Sequence, residues 1–322
     1  MSTHHLPPEA LHRAWDRGLP PALSIDPGDT VIFSTIDAAD GSIPPPGWAA
    51  PNPPSAGYGV RPATVAAAHP ICGPISVRGA LPGDALAIEV LDIATESWGW
   101  TSIGDIGVLG TSFTERALVY WDLRGDLAVP WAPAGEQAMA VRVPMRPFCG
   151  VMGLAPGESG EHSTIPPRAV GGNLDVRFLT AGSTLLLPVA VEGALFSVGD
   201  VHAAQGDGEV CGTGLECRAT VTLRFDLRRG TPLAGPEYHT PRHTIPGPYY
   251  ATTGVAPDLM EASRQAIRRM IAYLGTAHGL RPTDAYILCS VAVDLAISEV
   301  VDAPNWVVSA LLPLDVLSKR AV

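Results

Sequence analysis

The alternation of apolar and polar residues predicts a chain built mainly from short β-strands. Residues 85–93 alternate directly after the turn 82–84, and residues 30–37 follow a second Pro-Gly-Asp turn at 27–29. Further strands are predicted at 117–123, 138–146, 183–191, 194–198, 215–227, 248–254 and 305–312. Frequent glycine and proline with few aromatic residues also favour many strands and turns over a helical bundle.

Near the C-terminus the pattern changes to helical spacing. Asp258 and Glu261 form a potential capping box, which predicts a helix that ends at about Gly275 or Gly279. A second helix is predicted from Pro282 to about residue 297, because proline suits the first helical turn. The chain is therefore expected to be mainly β, with a C-terminal helix–helix–strand unit.

These patterns predict an organisation in three parts. Residues 1–24 are expected to form a loosely packed arm, residues 25–254 a β-rich core, and residues 255–322 the C-terminal unit packed on that core. The proline- and glycine-rich stretch 41–62 predicts a long loop, which suggests a lid or an oligomer contact.

Composition excludes several classes of protein. The 322 residues are 46% hydrophobic and only 16% charged, so the chain as a whole is not disordered. A formal charge of −11 argues against partners such as nucleic acid or an anionic membrane. Five cysteines without CxxC spacing predict neither a disulfide framework nor a cysteine-rich zinc site. With no signal peptide and no long apolar run evident, a reduced, cytoplasmic protein is expected.

The segment 199–209, followed by Glu216, is the strongest candidate for chemistry. It combines Asp200, His202 and Glu209 with small residues that permit close backbone approach. In an extended backbone Asp200 and His202 point to the same face, where both reach one metal ion or reacting group. The alternative is a structural loop in which Asp200 accepts backbone hydrogen bonds. Glu216 begins an apolar strand, where an unpaired inward carboxylate is costly.

Other candidates are more ambiguous. His69 lies in a stiff turn between prolines, and Asp37 ends a predicted strand, so each is either structural or part of a site. Asn173 and Asp175 lie in a loop with glycines, where either is able to line a pocket. Gln205 begins a turn that includes Asp207, for which an ordinary turn role is favoured.

Missing motifs narrow the mechanism. The only lysine is Lys319, so a Schiff base or a Ser–Lys pair is unsupported. No Gly-x-Ser-x-Gly elbow and no phosphate-binding glycine loop are present. Cys211 and Cys217 flank the cluster as alternative nucleophiles, although buried structural cysteines are more common.

Several of these segments resemble the acetamidase/formamidase family. The similarity is carried by residues 171–175, 193–209 and 301–305, and by the pairs His69-Pro70 and Gly73-Pro74. The resemblance covers nearly the whole chain from about residue 25. It implies a β-sandwich-like core, a cytoplasmic homo-oligomer, and hydrolysis of short aliphatic amides to carboxylate and ammonia.

The resemblance also implies a divalent metal site, with Asp37, His69, His202 and Glu216 at the matching positions. With no usable lysine or serine elbow, metal-activated water is the simplest route to amide hydrolysis. Glu216 or Glu209 is then the expected general base. Asp200 is the third residue predicted to act in catalysis, and the predicted substrate-binding residues are Asn173 and Gln205.

Zinc is the expected ion, because a calcium site would use six or more oxygen ligands and no histidine. Two alternatives stay open at this point. One is a metal-dependent hydrolase of another C–N bond, such as a carbamate or a larger amide. The other is a non-catalytic, β-rich ligand-binding protein that holds a structural metal.

Overall fold

The computed structural model describes residues 1–7, 9–46, 68–103, 106–107, 117–131, 142–209, 211–240, 248–280, 282, 285 and 293–314. The first strands are β1 Thr3–His5, β2 Leu11–His12, β3 Ala14–Trp15, β4 Leu23–Ile25, β5 Thr30–Thr35, β6 Ile71–Val77, β7 Ala85–Ile103, β8 Ala117–Asp122, β9 Leu127–Trp131 and β10 Val143–Pro144. The remaining elements are β11 Phe148–Leu154, β12 His162–Ser163, β13 Gly171–Asn173, β14 Thr184–Pro188, β15 Phe196–His202, β16 Glu216–Arg228, β17 Glu237–His239, β18 Tyr249–Ala256, α1 Leu259–His278, β19 Asp294–Glu299 and β20 Trp306–Pro313. The mainly β prediction is confirmed.

Two long strands organise the core. Strand β16 pairs antiparallel with both β5 and β7, and β15 continues the network by pairing with β6, β11 and β16. Buried and exposed residues alternate along β16, as expected for a sheet with one face against a core. Phe33, Phe196 and Phe225 meet edge to face with ring centroids 5.0–6.3 Å apart, which joins β5, β15 and β16.

The C-terminal unit differs from the prediction. Helix α1 begins as expected, since the backbone N–H of Glu261 donates to the carboxylate of Asp258, and it ends at Gly279 with a left-handed φ of 69°. Its buried residues pack against β18 and β20; they are Ala262, Ala266, Met270 and Leu274. The second predicted helix is wrong over residues 294–297, which belong to strand β19.

The reason for this error is that strand pairing overrides the weak helical pattern. Strand β19 pairs antiparallel with β20, and its Leu295 and Ile297 lie on one exposed face. Residues 283–284 and 286–292 lie outside the described part of the chain, as do residues 47–67 of the predicted loop and 138–141 of a predicted strand. Within the described residues, no helix is long and apolar enough to cross a bilayer.

The prediction of a loosely packed N-terminal arm is also wrong. Strand β1 pairs with β5, β2 and β4 pair with β6, and β3 pairs with β12. Leu6 and Trp15 are almost completely buried. Strands of two or three residues are too short to show alternation, so hydrophobic periodicity alone does not reveal them. The division into 1–24, 25–254 and 255–322 otherwise stays a prediction.

Asp29 attaches this N-terminal stretch to the core. One carboxylate oxygen accepts from the Ser2 backbone N–H at 2.6 Å, and the other accepts from Asp26 at 3.1 Å and lies 3.0 Å from His4 Nε2. The Ser2 hydrogen bond is the main cause that lowers the pKa of Asp29 to about 2, with the other contacts adding to it.

We expect Asp29→Asn to destabilise the protein at neutral pH but not in acid. The folded-state pKa lies below the unfolded value, so this carboxylate stabilises the fold above about pH 4 and loses its effect as pH falls towards 2. Chemical unfolding of both proteins at several pH values tests this. A difference in unfolding free energy that stays constant between pH 7 and pH 3 contradicts the assignment.

Candidate active site

The end of β15 and the start of β16 place the central pair of residues. His202 is the last residue of β15, Glu216 is the first of β16, and the two lie directly opposite each other in the antiparallel register. The connecting loop folds back, since Ala203 and Leu215 are joined by a backbone hydrogen bond of 2.8 Å. As a result His202 Nε2 lies 3.1 Å from Glu216 Oε2.

Two further carboxylates approach the same imidazole nitrogen. His202 Nε2 lies 3.3 Å from Asp200 Oδ1 and 3.9 Å from Glu209 Oε1. All four side chains are buried, and Glu209 is the most accessible at 7% exposure. The structure therefore brings together the four residues that the segment 199–216 offered as candidates.

Three site carboxylates occupy left-handed backbone. The φ angles are 47° at Asp175, 52° at Asp200 and 46° at Glu209. Non-glycine residues rarely adopt this region, and such strain is concentrated at functional sites. At Asp200 the backbone is therefore not extended, although the side chain still meets His202 as predicted.

Gln205 fixes the orientation of His202. Its Nε2 donates to the Asp175 carbonyl at 3.0 Å, so its Oε1 faces His202 Nδ1 at 2.7 Å. A carbonyl oxygen only accepts, so Nδ1 carries a proton and a neutral His202 directs the lone pair of Nε2 at the carboxylates. That arrangement is unfavourable unless Nε2 is protonated or a cation is bound.

A second group of acids extends the site. Asp175 lies with one carboxylate oxygen 3.7 Å from His202 Nδ1, and within the described part of the chain no N–H group donates to either of its buried oxygens. Asn173 donates from Nδ2 to Asp302 at 2.5 Å, while its own Oδ1 has no hydrogen-bond partner among the described residues. Glu299 accepts from the backbone N–H groups of Val301 and Asp302.

Sequence reasoning singled out Asp175 only as a possible pocket residue and missed Glu299 altogether. Asp302 entered only through the family resemblance of residues 301–305. The loop 203–215 reaches Glu299 through a bridge between Glu299 and Gly208, a long-range contact with no signal in the spacing of residues.

The two remaining predicted metal ligands, His69 and Asp37, have different partners from each other. His69 Nδ1 is 3.4 Å from Asp200 Oδ2, on the side away from its His202 contact. Asp37 is buried, but its oxygens accept from the Ala39 N–H at 3.1 Å and the Arg218 guanidinium at 3.3 Å. Among the described residues, none of the groups of close ligand atoms includes Asp37 or His69.

Two glycines provide the room that these side chains occupy. A side chain at Gly150 would place its Cβ 2.5 Å from Asp175 Oδ1 and 2.8 Å from Asp200 Oδ2. A Cβ at Gly214 would lie 2.7 Å from His202 Nδ1. All three contacts are shorter than real Cβ atoms tolerate, so the site requires glycine at these positions.

The surroundings lower the pKa of Asp200 but raise the pKa of Glu216. Burial disfavours charge on His202, but Glu216 and Asp200 outweigh it and raise the pKa of His202 well above its ordinary value. Burial alone would raise the pKa of Asp200, yet His69 and His202 hold it below its usual range. Burial raises the pKa of Glu216 to about 7, despite the opposing effect of His202.

The pKa values of Glu209, Glu299 and Asp302 are also raised above their ordinary values. Burial, followed by the charge of Asp175, holds the pKa of Glu209 well above its ordinary value. Burial together with Asp302 raises the pKa of Glu299 to about 8, and burial together with Asp200 raises that of Asp302 to about 7. Within the described residues no arginine or lysine pairs with these acids, so they lack a basic partner that would stabilise their charged form.

This donor set fits a divalent cation. Among the described residues, three groups of potential ligand atoms have all their atoms within 4.8 Å of one another, and His202 belongs to two of these groups. Ligands about 2.1 Å from a tetrahedral zinc are separated by about 3.4 Å. The distances of 3.1 Å and 3.3 Å from His202 Nε2 to Glu216 and Asp200 are close to that separation.

A large cavity borders one side of the site. It has a volume of about 860 Å³, and Gln205, Glu209 and Gly214 lie in its wall. Of the three residues predicted to act in catalysis, only Glu209 lines this cavity. The arrangement is thus a buried cluster of potential metal ligands, with one carboxylate facing a space large enough for a small molecule.

The cysteine alternative does not fit this geometry. Cys217 is buried, and burial raises the pKa of its thiol far above neutrality, so it is not a thiolate. Cys211 lines the cavity, but its sulfur lies against the carbonyl of Thr213 at 3.4 Å rather than beside a base.

Comparison with known proteins decides the family. A sequence profile described as the acetamidase/formamidase family matches residues 3–163 and 157–319, which is nearly the whole chain. The chain belongs to the acetamidase/formamidase family. As a member of this family it is a hydrolase of the C–N bond of linear amides.

Individual family members agree with this placement. An acetamidase of known structure from Bacillus halodurans is 30% identical, with 99% of this chain and 100% of that chain covered and a TM-score of 0.84. A predicted acetamidase/formamidase from Thermoanaerobacter tengcongensis is 27% identical, with coverages of 98% and 97% and a TM-score of 0.85. The formamidase of Methylophilus methylotrophus is 26% identical, over 95% of this chain and 89% of that protein.

Proposed function

We propose that this family member hydrolyses primary aliphatic amides to carboxylate and ammonia, with a divalent ion, zinc, held by the buried acids and His202. Formamide and acetamide, the substrates named for relatives, are the smallest members of this class. The observation that carries the proposal is the position of His202 Nε2, 3.1 Å from Glu216 and 3.3 Å from Asp200, beside a cavity-lining carboxylate, Glu209.

His202, Glu216 and Asp200 are the proposed ligands. Gln205 holds the imidazole so that Nε2 faces the two carboxylates, and the Gly214 N–H donates to Glu216 Oε1 at 2.8 Å. Such outer contacts orient metal ligands and keep the imidazole in one tautomer. The chemistry that a divalent ion would supply there is a lowered pKa of the attacking water and polarisation of the amide carbonyl.

Glu209 is the proposed general base, rather than Glu216. Its carboxylate lies farthest from His202 Nε2 of the three acids around that nitrogen, and it alone faces the cavity. Glu209 takes a proton from the attacking water as the water oxygen bonds to the carbonyl carbon. It then returns that proton to the nitrogen as the C–N bond breaks, which releases ammonia and leaves the carboxylate.

The other predicted residues have supporting roles in this proposal. His69 is placed to hold Asp200, and Asn173 is placed to hold Asp302. Asp37 is not proposed as a ligand, since its oxygens already accept from Ala39 and Arg218. A cytoplasmic location and a homo-oligomeric state stay predictions from the family resemblance.

Metal analysis combined with an amide panel tests this function. We expect the purified protein to contain a stoichiometric divalent ion and to release ammonia from formamide, acetamide and longer amides. Chelation removes both, and zinc restores both while calcium does not. If exhaustive chelation changes neither metal content nor activity, the metal role is wrong. Bound metal without ammonia from any amide favours another C–N substrate or a ligand-binding protein.

A further inference from the structure

The cavity adjoins the proposed active site at Glu209. Glu209 and Gln205 lie in its wall, and Gln205 bonds directly to the imidazole of His202 at 2.7 Å. Gly214 also lines it, on the side where its missing side chain makes room for that imidazole. A substrate whose amide lies at Glu209 must therefore place its acyl group in this cavity.

The walls beyond Glu209 are mainly apolar. Trp121, Leu215 and Ile93 line the cavity and are themselves largely buried, while Phe178 adds a half-buried ring. Charged residues also line the cavity. Asp92, Arg146 and Asp207 are exposed, and Arg177 pairs with Asp207 at 2.9 Å and lies 5.0 Å from the centroid of the Phe178 ring. A mainly apolar lining with a limited number of polar groups is typical of sites that bind an apolar substrate body and orient its polar part.

The volume is far greater than the smallest amides need. Acetamide occupies on the order of 100 Å³, about three waters at the ~30 Å³ that each takes in the liquid. The cavity measures about 860 Å³ and is within the range that holds a drug-sized ligand. Acetamide at Glu209 would leave most of the apolar wall exposed to water.

We propose that the preferred substrates of this enzyme are primary amides with an apolar acyl group much larger than acetyl, which packs between Trp121, Phe178 and Leu215. This inference rests on the proposed amidase function and specifies its substrate class. Acyl groups that bury more apolar surface bind more tightly, and binding energy remote from the reacting bond raises kcat/KM.

Ammonia release from a graded series of amides tests the proposal. We expect kcat/KM to rise about fourfold for each added methylene from acetamide through butanamide to hexanamide. Phenylacetamide, with a planar apolar ring, is expected to exceed acetamide on the order of 10²-fold. The protein is used with its metal bound, at a fixed pH.

A variant that narrows the cavity provides a second test, and the same substitution outside the cavity is its control. Ala181 lines the cavity in a turn closed by the Ser183 N–H and the Thr180 carbonyl at 3.0 Å. Ala181→Leu is expected to lower the ratio of kcat/KM for hexanamide over acetamide by about tenfold. Ala272→Leu adds the same side chain at an exposed position of α1, outside the cavity, and leaves the ratio unchanged.

The outcomes separate this inference from the function on which it rests. Ammonia release that is fastest for formamide and acetamide, with a ratio unaffected by Ala181→Leu, overturns the inference and leaves the amidase function in place. The absence of ammonia from every amide overturns both. A rising series with a ratio that falls only in Ala181→Leu supports the assignment of the cavity to the acyl group.

Discussion

Exchange of His202 for asparagine is expected to abolish ammonia release and metal binding together. The asparagine NH₂ group lies near the position of Nδ1 and keeps a donor for Gln205 Oε1, but no atom replaces Nε2 between Glu216 and Asp200. We expect kcat/KM to fall on the order of 10³-fold or more and the bound ion to be lost, since the metal loses its nitrogen ligand. Ammonia assays and metal analysis measure both quantities.

The matched variant removes the partner of His202 instead. Gln205→Leu keeps Nε2 but deletes the acceptor at Nδ1, so metal affinity is expected to weaken only about 10–100-fold. Thermal unfolding of both variants shows whether they are folded, because removal of the imidazole leaves buried acids without their partner. A folded His202→Asn protein with wild-type turnover contradicts the site assignment.

The inner part of the site, formed by Asp200, His202 and Glu216, was predictable because these residues are close in sequence. Asp200 and His202 belong to one strand, and Glu216 starts the next strand in the hairpin, so local spacing brings all three together. Residue chemistry alone also pointed to the segment, since acids and a histidine among glycines are rare in a buried strand end. Their shared imidazole contact confirms that the segment forms a cluster, whereas its chemical roles are proposals.

The outer part of the site, which includes Asn173, Glu299 and Asp302, was not predictable, because it depends on contacts between segments that are distant in sequence. Asn173 reaches Asp302 across 129 residues of sequence, and Gly208 pairs with Glu299 through an isolated bridge. The backbone at Glu209 is equally hidden, since a φ of 46° in a glutamate follows from tertiary constraints and not from propensity. Without the three-dimensional pairing, Glu299 is one acidic residue among many.

Prediction of the fold also failed where long-range contacts decide the structure. The long strands β7 and β16 and the capped start of α1 were evident, because alternation and capping are local signals. The helix predicted over 294–297 failed where pairing with β20 decided the structure. The role of Gly150 and Gly214 was also not predictable from sequence. Only the structure shows that Gly150 leaves room for two carboxylates and Gly214 for an imidazole.

Exchange of Glu209 for glutamine is expected to separate catalysis from metal binding. The variant keeps the size of the side chain and its position in the cavity wall, but an amide does not accept a proton from the attacking water. We expect kcat to fall about 10²–10⁴-fold, the range for loss of a general base, while the metal stays bound to His202, Glu216 and Asp200. Ammonia release and metal content, measured on the same preparation, provide both readouts.

Two comparisons make this result specific to Glu209. Glu216→Gln weakens a proposed ligand 3.1 Å from His202 Nε2, so metal content and activity are expected to fall together. Glu192→Gln makes the same chemical change at an exposed position outside the site and the cavity, and should alter neither. Wild-type kcat in Glu209→Gln, with loss of kcat but retention of metal in Glu216→Gln, would reverse the two roles. The base would then be the carboxylate beside the imidazole, and the residue facing the cavity would only position the substrate.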